Sequence, residues 1–90
     1  MNAQRRKDIQ VGIDKMNDAM ALLEEAKSIF ETASEEERDA YENLPESIQE
    51  SERGLHMEES ADNLDDIVSS IDDYISGITE SVETAESIIG

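Results

Sequence analysis

From Met57 to Ile89 an apolar or small residue recurs at alternating steps of four and three: Met57, Ala61, Leu64, Val68, Ile71, Ile75, Ile78, Val82, Ala85 and Ile89. This spacing follows one stripe of a helix under a strict seven-residue repeat. No lysine or arginine follows Arg53, so the solvent face of that helix is wholly acidic. A strand is the competing reading for Ile67 to Thr79, where β-branched residues dominate and Gly77 sits among them. Period two fails there and a period of about 3.5 fits. Helix propensity in this stretch is weak, so packing must hold it helical.

The first half of the chain carries its own seam, with Ile9, Ile13, Met16, Met20 and Leu23 followed at the same steps by Lys27, Phe30, Ser34, Glu37, Tyr41 and Leu44. It is clean to Leu23 and degrades afterwards. A second seam, Leu22, Ala26, Ile29, Ala33, Glu36 and Ala40, is displaced by about 100° around the helix. A helix with two apolar seams can touch two neighbours. Small residues also recur every seventh position at Gly12, Ala19, Ala26 and Ala33, which permits a close helix approach on that side. The later helix broadens likewise, since Ile67, Tyr74 and Ile88 each precede a seam position by one.

Between the long elements, Asn43 can cap a new helix, Pro45 suits its first turn and Glu46 supplies a capping-box partner. Leu44, Ile48 and Leu55 form a short stripe out of phase with the Met57 register, so a break is expected near Arg53-Gly54. The expectation is a single all-α domain over residues 1–90: a helix from about 4 to 41, a short helix from about 44 to 52 and a helix from about 55 to 88. The long helices would be about 55 and 50 Å, matched closely enough to lie side by side as an antiparallel hairpin.

Charge favours that orientation. Residues 1 to 30 hold five basic and five acidic side chains, whereas residues 31 to 90 hold two basic and nineteen acidic. An antiparallel pair sets Arg5, Arg6 and Lys7 beside Glu80, Glu83 and Glu86, and parallel pairing of acidic helices would juxtapose like charges. Each exposed pair contributes under about 1 kcal/mol, so the charges choose orientation more than they stabilise. Two hairpins joined through their second seams would give a dimeric four-helix bundle, with Leu22, Ala26, Ile29, Ala33, Ile67 and Tyr74 as the self-association seam.

A chain of 90 residues without cysteine has no disulfide to reinforce a thin core, and no thiolate for metal binding or catalysis. A net charge of −17 repels nucleic-acid backbones and anionic lipid alike, so direct nucleic-acid or membrane binding is not expected. High charge with few aromatics is also a signature of disorder, against which the uninterrupted repeat argues. The basic start, Arg5-Arg6-Lys7, leads into Asp8 and not into an apolar targeting segment, and no apolar run is long enough to span a bilayer. A soluble cytoplasmic protein is the expectation.

The pattern spells out no catalytic or metal-binding constellation. His56 is the sole histidine, with Glu52 and Glu59 at helical spacing, but Glu59 lies on the solvent side and no second histidine motif accompanies it. Asp62-Asn63-Leu64-Asp65-Asp66 lacks the spacing and glycine of a calcium loop. Lys27 interrupts the first seam, where it is either a buried lysine of depressed pKa or, as we read it, a side chain lying over the core and paired with Glu24 or Glu31. With no phosphate loop and no nucleophile beside a base, the reading is a non-enzymatic protein without cofactor or metal.

The sharpest remaining feature is an acidic ladder: Glu58, Asp65 and Asp72 share one heptad position with Glu86, and Glu59, Asp66, Asp73 and Glu80 share the next. Its rungs stand about 10 Å apart on a rigid rod. Such a row can imitate nucleic-acid phosphates in the basic groove of a partner protein. The plainer alternative is a solvated helix face. A structural adaptor acting through its apolar seams is the second functional reading.

The segment Tyr41 to Gly54 (YENLPESIQESERG), followed by Met57-Glu58-Glu59 and Ala61-Asp62-Asn63-Leu64, resembles a family of short acidic helical proteins encoded by bacteriophages and prophages. The resemblance covers the middle third, and the flanking helices match only in pattern. It implies a viral accessory protein at work in a host cytoplasm and transfers no active-site residue. By analogy with small acidic phage proteins, the partner would be a host nucleic-acid enzyme of the restriction or CRISPR kind.

Overall fold

The computed structural model describes residues 1–90 and contains three helices, α1 (Ala3–Glu42), α2 (Glu46–Gln49) and α3 (Glu52–Ile89), with no strand. Each long helix starts on a polar cap. The Asn2 side chain accepts from the Arg5 N–H at 2.8 Å, and the Ser51 hydroxyl accepts from the Gly54 N–H at 3.4 Å. Both occupy one of the orphan donors that every helix start exposes.

The connector differs from the sequence expectation in three ways. Asn43 does not cap the short helix; it closes α1, its N–H donating to the Asp39 carbonyl at 3.0 Å. Pro45 stands at the cap position of α2 with no side-chain cap, and its carbonyl accepts from Ile48 and Gln49 instead. The helix is a single turn, far shorter than residues 44 to 52, and Gln49 turns back to donate to the carbonyls of Tyr41 and Glu42. That side chain thus adds a donor to the Tyr41 carbonyl, which also accepts from the Leu44 N–H, and supplies one to the Glu42 carbonyl at the end of α1.

The register break falls at Glu50–Ser51, ahead of the expected Arg53-Gly54. Gly54 lies instead in the first turn of α3, buried against the connector. A Cβ there would stand 2.2 Å from the Gln49 carbonyl oxygen. Close backbone approach, not a left-handed conformation, is what requires glycine at this point.

Cross-helix contacts fix how α1 and α3 lie together. Met20 meets Thr79, Lys27 meets Asp72, Ser34 meets Ala61 and Asp65, and Arg38 meets Asp62 and Asp65, so numbering rises along α1 as it falls along α3. The molecule measures 69 × 15 × 15 Å. Every seam position of α3 from Met57 to Ile89 is buried or half-buried, as is every seam position of α1 from Ile9 to Leu44. The core is nonetheless thin: its buried apolar residues are Ile13, Ala61, Ile71 and Val82, and no large side chain is fully enclosed. Nothing in the chain approaches the small stripe at its open end, since a Cβ on Gly12 would meet no atom within 4 Å. No helix is long and apolar enough to cross a membrane.

Candidate functional site

Around α3 the carboxylates fall into two rows with different surroundings. Glu58, Asp65 and Asp72 sit one position beyond the seam, at the edge of the contact with α1, and Glu59, Asp66, Asp73 and Glu80 sit a further 100° or so round, opposite the core. The first row is engaged with α1. Asp72 receives Lys27 Nζ at 2.7 Å, Asp65 accepts from Ser34 Oγ at 2.5 Å and from Arg38, and Glu58 lines the same depression as Tyr41.

These contacts set the ionisation of the groups that make them. The Ser34 hydroxyl, then the Arg38 guanidinium, hold the Asp65 carboxyl below its usual range. The Arg38 guanidinium is held above its usual value in turn, by its hydrogen bonds to Asp65 and Asp62. The neighbouring Glu58 carboxylate raises the Tyr41 phenol, because ionisation would set two anions together. Lys27 is likewise raised, first by its hydrogen bond to Asp72 and also by Glu31, whose carboxylate stands 3.7 Å away. The alternative of a buried, depressed lysine is therefore overturned; its main partner is on the other helix, and Glu31 is second.

The degraded part of the α1 seam supplies Lys27, Ser34 and Tyr41, and Arg38 follows the seam position Glu37. Ser34 is 4% exposed at a position where the repeat calls for an apolar side chain, and its hydroxyl also faces the Ala61 carbonyl at 3.4 Å. The sequence pattern alone does not mark Ser34 or Arg38 as a site residue. The available signals were a hydroxyl on a core stripe and one of only two basic residues after position 30.

The second row makes no ion pair: the chain's salt bridges involve only Lys27 and Arg38, with Glu31, Asp62, Asp65 and Asp72. Glu59, Asp66, Asp73 and Glu80 are all exposed. Their helix runs without interruption from Glu52 to Ile89, which fixes the spacing of the row. His56 is exposed in the second turn of α3, and no three His, Asp or Glu side chains converge on one point as a metal site would require.

On the opposite flank stand the residues of the expected self-association seam. Leu22 and Ile29 are 66% and 68% exposed, and Tyr74 is 58% exposed. Ile67 is also exposed, while Ala26 and Ala33 are half-buried between seam and surface. The hairpin contact brings these six to one side at similar height, because Lys27 beside Ala26 meets Asp72 beside Tyr74. A shallow open depression lined by Ser28, Ile29, Thr32, Ala33 and Glu36 runs along the α1 part of this flank. A second depression, on the polar side, is lined by Arg38, Tyr41, Glu42, Glu58 and Ala61. No protein-family model matches the chain, and neither the curated proteins nor the solved structures give a match.

Proposed function

We propose that this is a non-enzymatic binding protein whose outer acidic row occupies a basic groove on a partner protein, in competition with nucleic acid. The carrying observation is that Glu59, Asp66, Asp73 and Glu80 are exposed and free of the chain's own cations on one continuous helix. Glu58, Asp65 and Asp72 serve the hairpin first, so the partner-binding set narrows to the outer row. A row with about 10 Å between rungs presents charge at a fixed pitch without the ordering cost of a flexible acidic tail. The resemblance to phage and prophage proteins supports a host nucleic-acid or defence enzyme as the partner, met in the host cytoplasm.

The test is capture of host proteins on the immobilised chain, followed by elution with duplex DNA or with salt. A mimic releases its partner to both, and Glu59→Gln/Asp66→Asn/Asp73→Asn/Glu80→Gln captures nothing while retaining its helical circular dichroism. Capture indifferent to salt and to DNA overturns the reading.

A second reading is supported by the exposure of Leu22, Ile29 and Tyr74: a structural adaptor or assembly protein in which hairpins pair through this apolar flank into a dimeric bundle. The two readings are compatible, because the outer acidic row and the apolar flank lie on different sides of α3.

A further inference from the structure

The flank that carries Leu22 and Ile29 has an internal symmetry in its charge and size. Along α1 the outermost line of that flank reads Asp8, Lys15, Leu22, Ile29, Glu36, one residue per two turns, all exposed, with Asn43 one step beyond Glu36. Reversed and laid on itself, this line sets Lys15 against Glu36 and Leu22 against Ile29. Laid on itself in the same direction, it sets lysine on lysine and glutamate on glutamate. The neighbouring line, Gly12, Ala19, Ala26, Ala33 and Ala40, is small throughout and centres on Ala26.

The α3 part of the flank has a centre of its own. Its line reads Ser60, Ile67, Tyr74, Ser81, Ile88, and reversal about Tyr74 sets each isoleucine on a serine. Tyr74 stands level with Ala26, because Lys27 pairs with Asp72 and Met20 with Thr79. The two centres therefore coincide in height, although one rests on charge in α1 and the other on size in α3.

The acids of α3 avoid this flank. Every carboxylate of α3 from Glu58 to Glu86 lies on the polar flank or the outer row, and none falls among the lines just named. For a chain of net charge −17, pairing with a copy is tolerable only where the like charges face away. The lines from Gly12 to Ala40 and from Ser60 to Ile88 run about 42 Å along a rod 15 Å across, a projected face of roughly 600 Å², toward the small end of interfaces that bury about 800 Å² per partner.

We infer that the protein forms a two-fold homodimer through this flank, α1 lying antiparallel on the partner's α1 and α3 on the partner's α3, with the axis crossing both helix pairs at the height where Ala26 and Tyr74 each face their own copy. Lys15 meets the partner's Glu36 at each end of the contact, and both outer acidic rows face solvent on the resulting four-helix bundle. The inference rests on reading the apolar flank as an assembly surface, and it adds the occupant, the direction and the register.

The chain has no cysteine, so single cysteines report proximity cleanly. Lys15→Cys mixed with Glu36→Cys should join through a short bis-maleimide, and neither should join to itself. Light scattering should give twice the 10.0 kDa chain mass. Lys15→Glu and Glu36→Lys should each weaken the dimer, and the double reversal should restore it. Leu22→Asp/Ile29→Asp should raise the dissociation constant roughly 100-fold or more. A single-chain mass for the unmodified protein overturns both the assembly reading and this geometry. A dimer that cross-links Lys15→Cys to itself overturns the geometry alone.

Discussion

The half of the rod near the connector and the half near the chain termini are held by different means. Near the connector, Lys27, Ser34 and Arg38 of α1 reach across to Asp72, Asp65 and Asp62, Tyr41 stands beside Glu58, and the apolar seam is diluted to make room for them. Near the termini, Ile9, Ile13, Met16 and Met20 lie at the level of Ile75, Ile78, Val82, Ala85 and Ile89, and the one polar contact across is Thr79 with Met20. Burial is non-directional, whereas a hydroxyl between a carbonyl and a carboxylate accepts only one alignment. The terminal half therefore supplies cohesion, and the connector half supplies register.

The contrast predicts where substitutions hurt. Ile13, 2% exposed, anchors the terminal half, and Ile13→Ala should cost about 3 kcal/mol in chemical denaturation, with amide exchange accelerated first in residues 3–23 and 75–89. A uniform acceleration along the rod would show that the two halves open as one. Gly54→Ala should cost about 2 kcal/mol, because the connector has to move off the first turn of α3, and its exchange signature should be confined to residues 42–58.

Ser34→Ala should be milder, about 1 kcal/mol, and should act on register more than on cohesion. Its pH dependence is the sharper measurement. Asp65 is held below its usual value, so the stability it contributes is fully present above the unfolded carboxylate value of about 3.9 and is lost as pH falls through the lower folded value. The gap between the parent chain and Ser34→Ala should thus stay constant near neutrality and narrow only below about pH 3.9. A gap unchanged in acid would assign the effect to the Ala61 carbonyl contact and not to Asp65.

Much of this arrangement is written in the seam. The positions from Met57 to Ile89 that repeat at four and three are the ones the structure covers, and Ile67, Tyr74 and Ile88, which broaden the stripe, are the ones it leaves exposed. What the pattern concealed lies where the seam degrades. Lys27, Ser34 and Tyr41 read as defects of an apolar repeat until Asp72, Asp65 and Glu58 are known to stand at their height, and that height depends on a connector whose length misled. Pro45 and Gln49 close the turn in fewer residues than a capping box on Asn43 would use. For the same reason sequence alone does not separate Glu58, Asp65 and Asp72, which stand at the edge of the contact with α1, from the outer row.

The elongation of the rod affects how the molecule behaves in solution. A compact chain of this length has a radius of gyration of about 12 Å, whereas this one has 20.1 Å. The radius is that of a compact protein of roughly 300 residues. A lone protomer diffusing through a porous matrix will therefore emerge early, among globules several times its weight. Laid flank to flank with a copy, it thickens while lengthening little, so doubling its mass changes its elution far less than its light scattering.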